Sequence, residues 1–186
     1  MTDPESISSV AYPRAAGTPT PLVPWQSLAA DPSTAARYEA KVYRGGPTDC
    51  HWWLGAISDS GHGKIRAGSR PAGTSRVVSA HVLGWAIHHG TDALRGGAVV
   101  IRHICDETSC QNPEHWMAGD RLQNILDFQA RRNLSGHALA DVRGPAGRAV
   151  AVRDAILAAA PGREADAIAA ALAAGHPSGD HQDALW

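Results

Sequence analysis

The stretch Val100-Ile101-Arg102-His103-Ile104-Cys105-Asp106-Glu107-Thr108-Ser109-Cys110-Gln111-Asn112-Pro113-Glu114-His115 is the densest run of ligand-capable side chains in the 186 residues. Four residues separate Cys105 from Cys110, and four separate Cys110 from His115. Thiolates and an imidazole crowded into one loop suit tetrahedral zinc, which needs one more ligand from elsewhere. Cys50 is the one remaining cysteine. A structural site of Cys50, Cys105, Cys110 and His115 would use every thiol in the chain and tie an early strand to this loop. The alternative is that Cys50 is a buried apolar thiol and the other three bind weakly or not at all.

Outward from the loop, Ala98-Val99-Val100-Ile101 predicts a buried strand leading into it. Residues 119–132 place Leu122, Ile125, Leu126 and Phe128 at helical spacing behind Gly119-Asp120, an amphipathic helix with a capping residue at its start. The order is strand, loop, helix. Upstream, residues 35–42 predict a short helix, Gly45-Gly46-Pro47 a break, and Cys50-His51-Trp52-Trp53-Leu54 a buried strand. After a turn at 58–63, Lys64-Ile65-Arg66-Ala67 alternates as a hairpin strand with Lys64 and Arg66 on one face. Residues 75–89 carry Val78, Val82, Leu83, Trp85 and Ala86 at near-helical spacing, and Gly90 ends that helix.

The ends read differently. Residues 1–33 hold six prolines among Ser, Thr and Ala and no stable apolar period, so they are expected to form an extended or disordered arm. Residues 146–159 and 163–174 are Ala-rich helices split by Pro161-Gly162. They predict a surface-packed pair contributing core or dimer contacts rather than a helix-turn-helix. The expected fold class is therefore α+β, with short antiparallel strands and flanking helices. The domains are an arm at 1–33, one catalytic-size unit at 34–133 and a helical extension at 134–186.

Bulk properties narrow the function classes. Charged residues make up 19% of the chain and the net charge is −1, which excludes a coiled coil, a disordered polyelectrolyte and a histone-like binder. The middle is nevertheless mildly basic, with eleven cations against eight acids over 41–133, while both ends lean acidic. No apolar run reaches 18 residues, and Met1-Thr2-Asp3-Pro4-Glu5 lacks a basic, apolar leader, so a soluble cytoplasmic protein is expected. Three cysteines in a reducing compartment favour metal over disulfide.

The residues from Val100 to Trp116, together with Asn124 nine positions after His115, resemble the pattern of the HNH (His-Me finger, ββα-metal) endonucleases. In that family a strand ends in a catalytic His, a loop carries Asn-Pro, and the following helix bears a metal-binding Asn. The likeness is strongest to the zinc-containing subgroup typified by the homing endonuclease I-PpoI. Cys50 to Ala56, Gly61 to Arg66, and Ala80 to Trp85 also resemble upstream motifs of bacterial and phage HNH proteins. In all the resemblance spans about 38–133. It implies a ββα-metal core and a divalent-metal-dependent DNA endonuclease that hydrolyses phosphodiester bonds. It further implies His103 as general base, Asn124 as the protein ligand of a catalytic Mg²⁺ or other divalent cation, Asn112 as the loop-shaping residue, and Cys50, Cys105, Cys110 and His115 as ligands of structural Zn²⁺. These types suit the chemistry. A neutral imidazole takes a proton from water near pH 7, and a carboxamide oxygen holds a hard cation loosely.

Arg102 departs from the family, because many members have an Asp or His there as a second metal ligand and a guanidinium cannot ligate a cation. Arg66 is the candidate for gripping the scissile phosphate, with Lys64, Arg70 and Arg76 as further contacts to double-stranded DNA. His81 is expected to pack under the hairpin rather than orient a neighbour, and His62 to be a solvated turn residue or a DNA contact. Trp52, Trp53, Trp85 and Trp116 are expected to build the core around the zinc. The competing reading is a non-catalytic zinc-dependent DNA-binding module with the C-terminal helices as reader. An RNA-directed nuclease or a nuclease toxin is a third.

Overall fold

The computed structural model describes residues 22–132, 134 and 137–176. They form a mixed α+β fold of short antiparallel strands. Residues 1–21, most of the expected arm, lie outside the described residues.

The part of the arm that is described is helical, which corrects the expectation for it. Helices α1 (Trp25–Ala30) and α2 (Pro32–Glu39) occupy it, and Leu28 is fully buried. Pro24 and Pro32 stand at helix starts, where a missing N–H costs nothing: Pro32 opens α2 behind Asp31, whose carboxylate accepts from Ser33 N at 3.1 Å. The helix expected over 35–42 thus lies three residues earlier. Strand β1 (Val42–Arg44) follows it and pairs with β2 (His51–Trp53), which carries the buried Trp52 and Trp53 as expected.

A second sheet runs in the order β3 (Ala56–Ile57), β4 (Gly63–Ala67), β5 (Arg76–Ser79). The helix expected over 75–89 is divided. β-branched Val77 and Val78 pair with Arg66 and Ile65, and only α3 (Ala80–His88) is helical. This three-stranded sheet and α3 share a core of Tyr38, Trp53, Ile65, Val78 and Leu83 with Leu28 of α1. Close packing is explicit at Gly84, where an added Cβ would come within 2.3 Å of the Tyr38 hydroxyl and 2.4 Å of the Trp116 ring.

Strand β6 (Val100–His103) sits two residues beyond the predicted strand and pairs with β7 (Trp116–Gly119), an element absent from the sequence reading. Its register sets His103 opposite Trp116. Helix α4 (Arg121–Arg131) follows at once, with the anticipated cap: Asp120 accepts from Gln123 N and the Gln123 side chain accepts from Asp120 N. The result is a β-hairpin with a long loop, 104–115, followed by a helix. Helix α4 does not bury its apolar face as predicted, because Leu122, Leu126 and Phe128 remain exposed. Ion pairs hold it instead, Arg102 to Asp127 and Arg131 to Asp106, the latter at 3.1 Å.

Helices α5 (Gly144–Ala158) and α6 (Glu164–Ala173) pack on each other around the predicted Pro161-Gly162 break. Their Val152, Ile156 and Ile168 share one buried cluster with Cys50, Trp52 and Cys110. The described part of the expected 134–186 extension is thus one wall of the same core, and the boundary at 133/134 does not separate packing units. Val152, Ile156 and Ile168 turn inward, whereas Leu157 of α5 stays exposed. Among the described residues, no helix is long and apolar enough to cross a membrane.

Candidate metal centre and histidine cavity

Cys50, at the foot of β2, meets Cys105, Cys110 and His115 so that one ligand atom from each lies within 4.8 Å of all the others. His115 Nδ1 stands 3.5 Å from Cys110 Sγ and 3.8 Å from Cys50 Sγ. These four residues could hold a metal such as zinc. The long loop is brought to β2 by backbone bonds: Gln111 N donates to His51 O at 2.7 Å, and Trp52 bridges to Cys110. Asn112 completes the seam, accepting from Glu114 N at 3.0 Å and donating from Nδ2 to Asp49 O at 2.7 Å.

The thiols are crowded enough to control one another's protons. Hydrogen bonds from Cys105 and Cys110 hold the Cys50 thiol far below its ordinary range, while contact with Cys105 and Cys50, and then burial, push Cys110 up. With no cation among them, three adjacent thiolates repel, so only one forms readily. A divalent cation removes that penalty for all three at once.

A buried ion network braces the loop from behind. Arg148 on α5 donates to Glu107 at 2.6 Å, and Asp141 accepts from Arg143 at 2.7 Å. Glu107 is almost wholly buried, and burial raises its pKa against the pull of Arg148. Sequence spacing carried no sign of this pair, whose partners stand 41 positions apart.

His103 ends β6 and is 8% exposed. Its Nε2 lies 3.0 Å from Cys110 O, and Trp116 Nε1 donates to the same carbonyl at 3.2 Å. A carbonyl only accepts, so Nε2 carries the proton and the lone pair sits on Nδ1. Cys110 therefore contributes its sulfur to the metal-ligand set and its carbonyl to orienting His103. Burial, with His62 next in effect, holds the His103 imidazole down to about 4, so the ring is neutral at pH 7.

A cavity of about 590 Å³ opens beside it. His62, His81, His103 and Asn124 all line it, as do Ile125, Phe128 and Arg132. Thus Asn124, an exposed residue of α4, lines the same space as His103. His81 is buried as expected, and His62, expected to be a solvated turn residue or a DNA contact, is only half-exposed and packs against it. The rings of His81 and His103 are 4.7 Å apart and those of His62 and His81 5.0 Å. His81 is 5% exposed, with an Nδ1 that has no hydrogen-bond partner.

Arg66 does not line this cavity. It projects from the outer face of β4 toward Ser75, 3.3 Å away, and Lys64 on the same face donates to Ser79 at 3.0 Å. Arg66, Arg70 and Arg76 are exposed, and no acidic residue occurs between Asp59 and Asp92. The cation the sequence reading missed is Arg132, which lines the cavity and makes no ion pair among the described residues. Its signal was weak, one of two adjacent arginines at a helix end. Arg102, the departure from the family pattern, is spent on Asp127.

Comparison with known proteins gives one relative of no stated activity: "Protein 2.8" of Escherichia phage T7 is 30% identical over 93 residues, 50% of this chain and 58% of the relative. The chain thus matches little more than half the length of that protein. No family model and no solved structure matches.

Proposed function

We propose that this chain is a zinc-stapled, divalent-metal-dependent DNA endonuclease of the HNH type, with its active site in the cavity between β6 and α4. The observation that carries the reading is the Nε2 bond of His103 to the Cys110 carbonyl, which commits that nitrogen and leaves a neutral Nδ1 lone pair while Asn124 lines the same cavity. The succession of β6, long loop, β7 and α4 supports this reading, because a ββα-metal core follows the same order.

In this reading His103 Nδ1 takes the proton of the attacking water, and the resulting imidazolium keeps its bond to Cys110 O. Asn124 offers a hard carboxamide oxygen and no charge, which fits Mg²⁺ that keeps most of its positions for water and phosphate. When bound there, such a cation supplies positive charge beside the scissile phosphate and the leaving 3′-oxygen. Arg132 meets phosphate oxygens at the cavity edge. Lys64, Arg66, Arg70 and Arg76, on a stretch free of acids, lie along the DNA backbone outside the cavity and make binding salt-sensitive.

The test is incubation of purified protein with supercoiled plasmid and Mg²⁺. The wild type yields nicked or linear DNA, and His103→Ala lowers the rate by about 10²-fold or more, the scale of a general base, while circular dichroism stays native. Plasmid left equally intact by both proteins across several divalent cations refutes the enzyme and leaves a zinc-dependent DNA-binding module. Sequencing the ends from a random library separates single-strand nicking by a monomer from paired cuts by a homodimer.

A further inference from the structure

Three histidines from three different elements converge on the cavity: His62 from the β3–β4 turn, His81 from the first turn of α3, and His103 from the end of β6. One ring nitrogen of each lies within 4.8 Å of the other two. Buried polar atoms without partners are rare in folded proteins, yet Nδ1 of His81 has none. His103 has its Nε2 committed to Cys110 O and so keeps the Nδ1 lone pair free. The Nδ1 of His62 is engaged by the Ser60 hydroxyl at 3.0 Å, which leaves its Nε2. Three neutral nitrogen donors grouped this closely, with no carboxylate among them, are a poor set for Mg²⁺ or Ca²⁺ and a good one for a borderline divalent ion. Six other side-chain atoms among the described residues are buried without a partner, but the His81 nitrogen is the one grouped with two further imidazoles.

We propose that His62, His81 and His103 form a second metal site, selective for Zn²⁺, Co²⁺ or Ni²⁺ over Mg²⁺. Three imidazoles leave a further coordination position open to the cavity for water or a phosphate oxygen. Occupation consumes the Nδ1 lone pair of His103. The consequence for catalysis rests on the endonuclease reading: a borderline ion at this site removes the general base and inhibits cleavage that Mg²⁺ supports. Metal binding itself does not depend on that reading.

Titrating the zinc-loaded full-length protein with Co²⁺, followed by calorimetry and visible absorption, tests the site. One further equivalent binds, with imidazole-type d–d bands and no thiolate charge-transfer band, and excess Mg²⁺ does not displace it. His62→Ala, at a partly exposed turn, weakens this binding at least about tenfold without releasing the zinc, whereas His89→Ala on the surface leaves it unchanged. No further equivalent, charge-transfer bands that place cobalt on the cysteines, or equal affinity in His62→Ala overturns the proposal. In plasmid cleavage with Mg²⁺, added Co²⁺ inhibits the wild type more strongly than His62→Ala. If neither protein cuts DNA while the calorimetric result stands, the endonuclease reading fails and the metal site does not.

Discussion

Replacing Cys50 by Ser probes the contact on which the site depends. Cys50 and Cys105 are about 55 residues apart in the chain, and their junction through a shared ion closes a loop of that length. The loop-closure entropy removed from the unfolded chain by such a cross-link is about 4 kcal/mol. The ion's bond energy adds to this, since structural zinc contributes on the order of 10–16 kcal/mol in small domains. Cys110 and Trp52 lie at the bottom of the cluster that also holds Val152, Ile156 and Ile168, so loosening the loop exposes the faces of α5 and α6 as well. Taking the entropy alone, a domain of this size loses roughly 8–16 °C of melting temperature. Inductively coupled plasma mass spectrometry should find about one zinc per chain more in the wild type than in Cys50→Ser, and differential scanning calorimetry should show the drop. Treating the wild type with a strong chelator should reproduce the shift. A Cys50→Ser protein that retains its zinc, or a metal-free wild type that melts within 2 °C or so of the loaded one, refutes the four-ligand staple.

Three other perturbations separate structure from chemistry. Asn124→Ala removes an exposed side chain and should move stability by no more than about 0.5 kcal/mol, while cleavage falls and the Mg²⁺ concentration for half-activity rises; unchanged Mg²⁺ dependence excludes it as the ligand. Arg148→Met leaves Glu107 buried without its cation and should cost about 3–5 kcal/mol in urea unfolding, most of it recovered in Glu107→Gln/Arg148→Met; a double variant no better than the single one refutes the pairing argument. Gly84→Ala forces a methyl group against the Tyr38 hydroxyl and the Trp116 ring and should cost about 1–3 kcal/mol; a neutral effect means that α3 can shift away from both.

Local signals were legible where a residue's chemistry acts over a few positions. The Asp120 cap, the Pro161-Gly162 break and the apolar β2 all appear where the spacing puts them. Reading failed where two local cues conflicted. The prolines around α1 and α2 suggest an extended arm, although one at a helix start breaks nothing, and Leu28 has a core to enter. Val77 and Val78 suited a helical period as well as a strand, and pairing with β4 settled the matter. Strand β7 has no alternation of its own; it exists because β6 lies beside it.

The amino-acid sequence by itself determined which chemistry was available: three thiols and an imidazole at ligand spacing, a histidine after an apolar run, and a carboxamide on the next helix. Tertiary structure alone decided which of these groups meet. It delivered Cys50 across about 55 residues, turned the Cys110 carbonyl toward His103, and gathered His62 and His81 beside that ring. The physical reason is that a ligand set or a proton acceptor is defined by distances of a few ångströms, and contacts between residues far apart in the chain follow from burying strands and helices together, which no local pattern encodes.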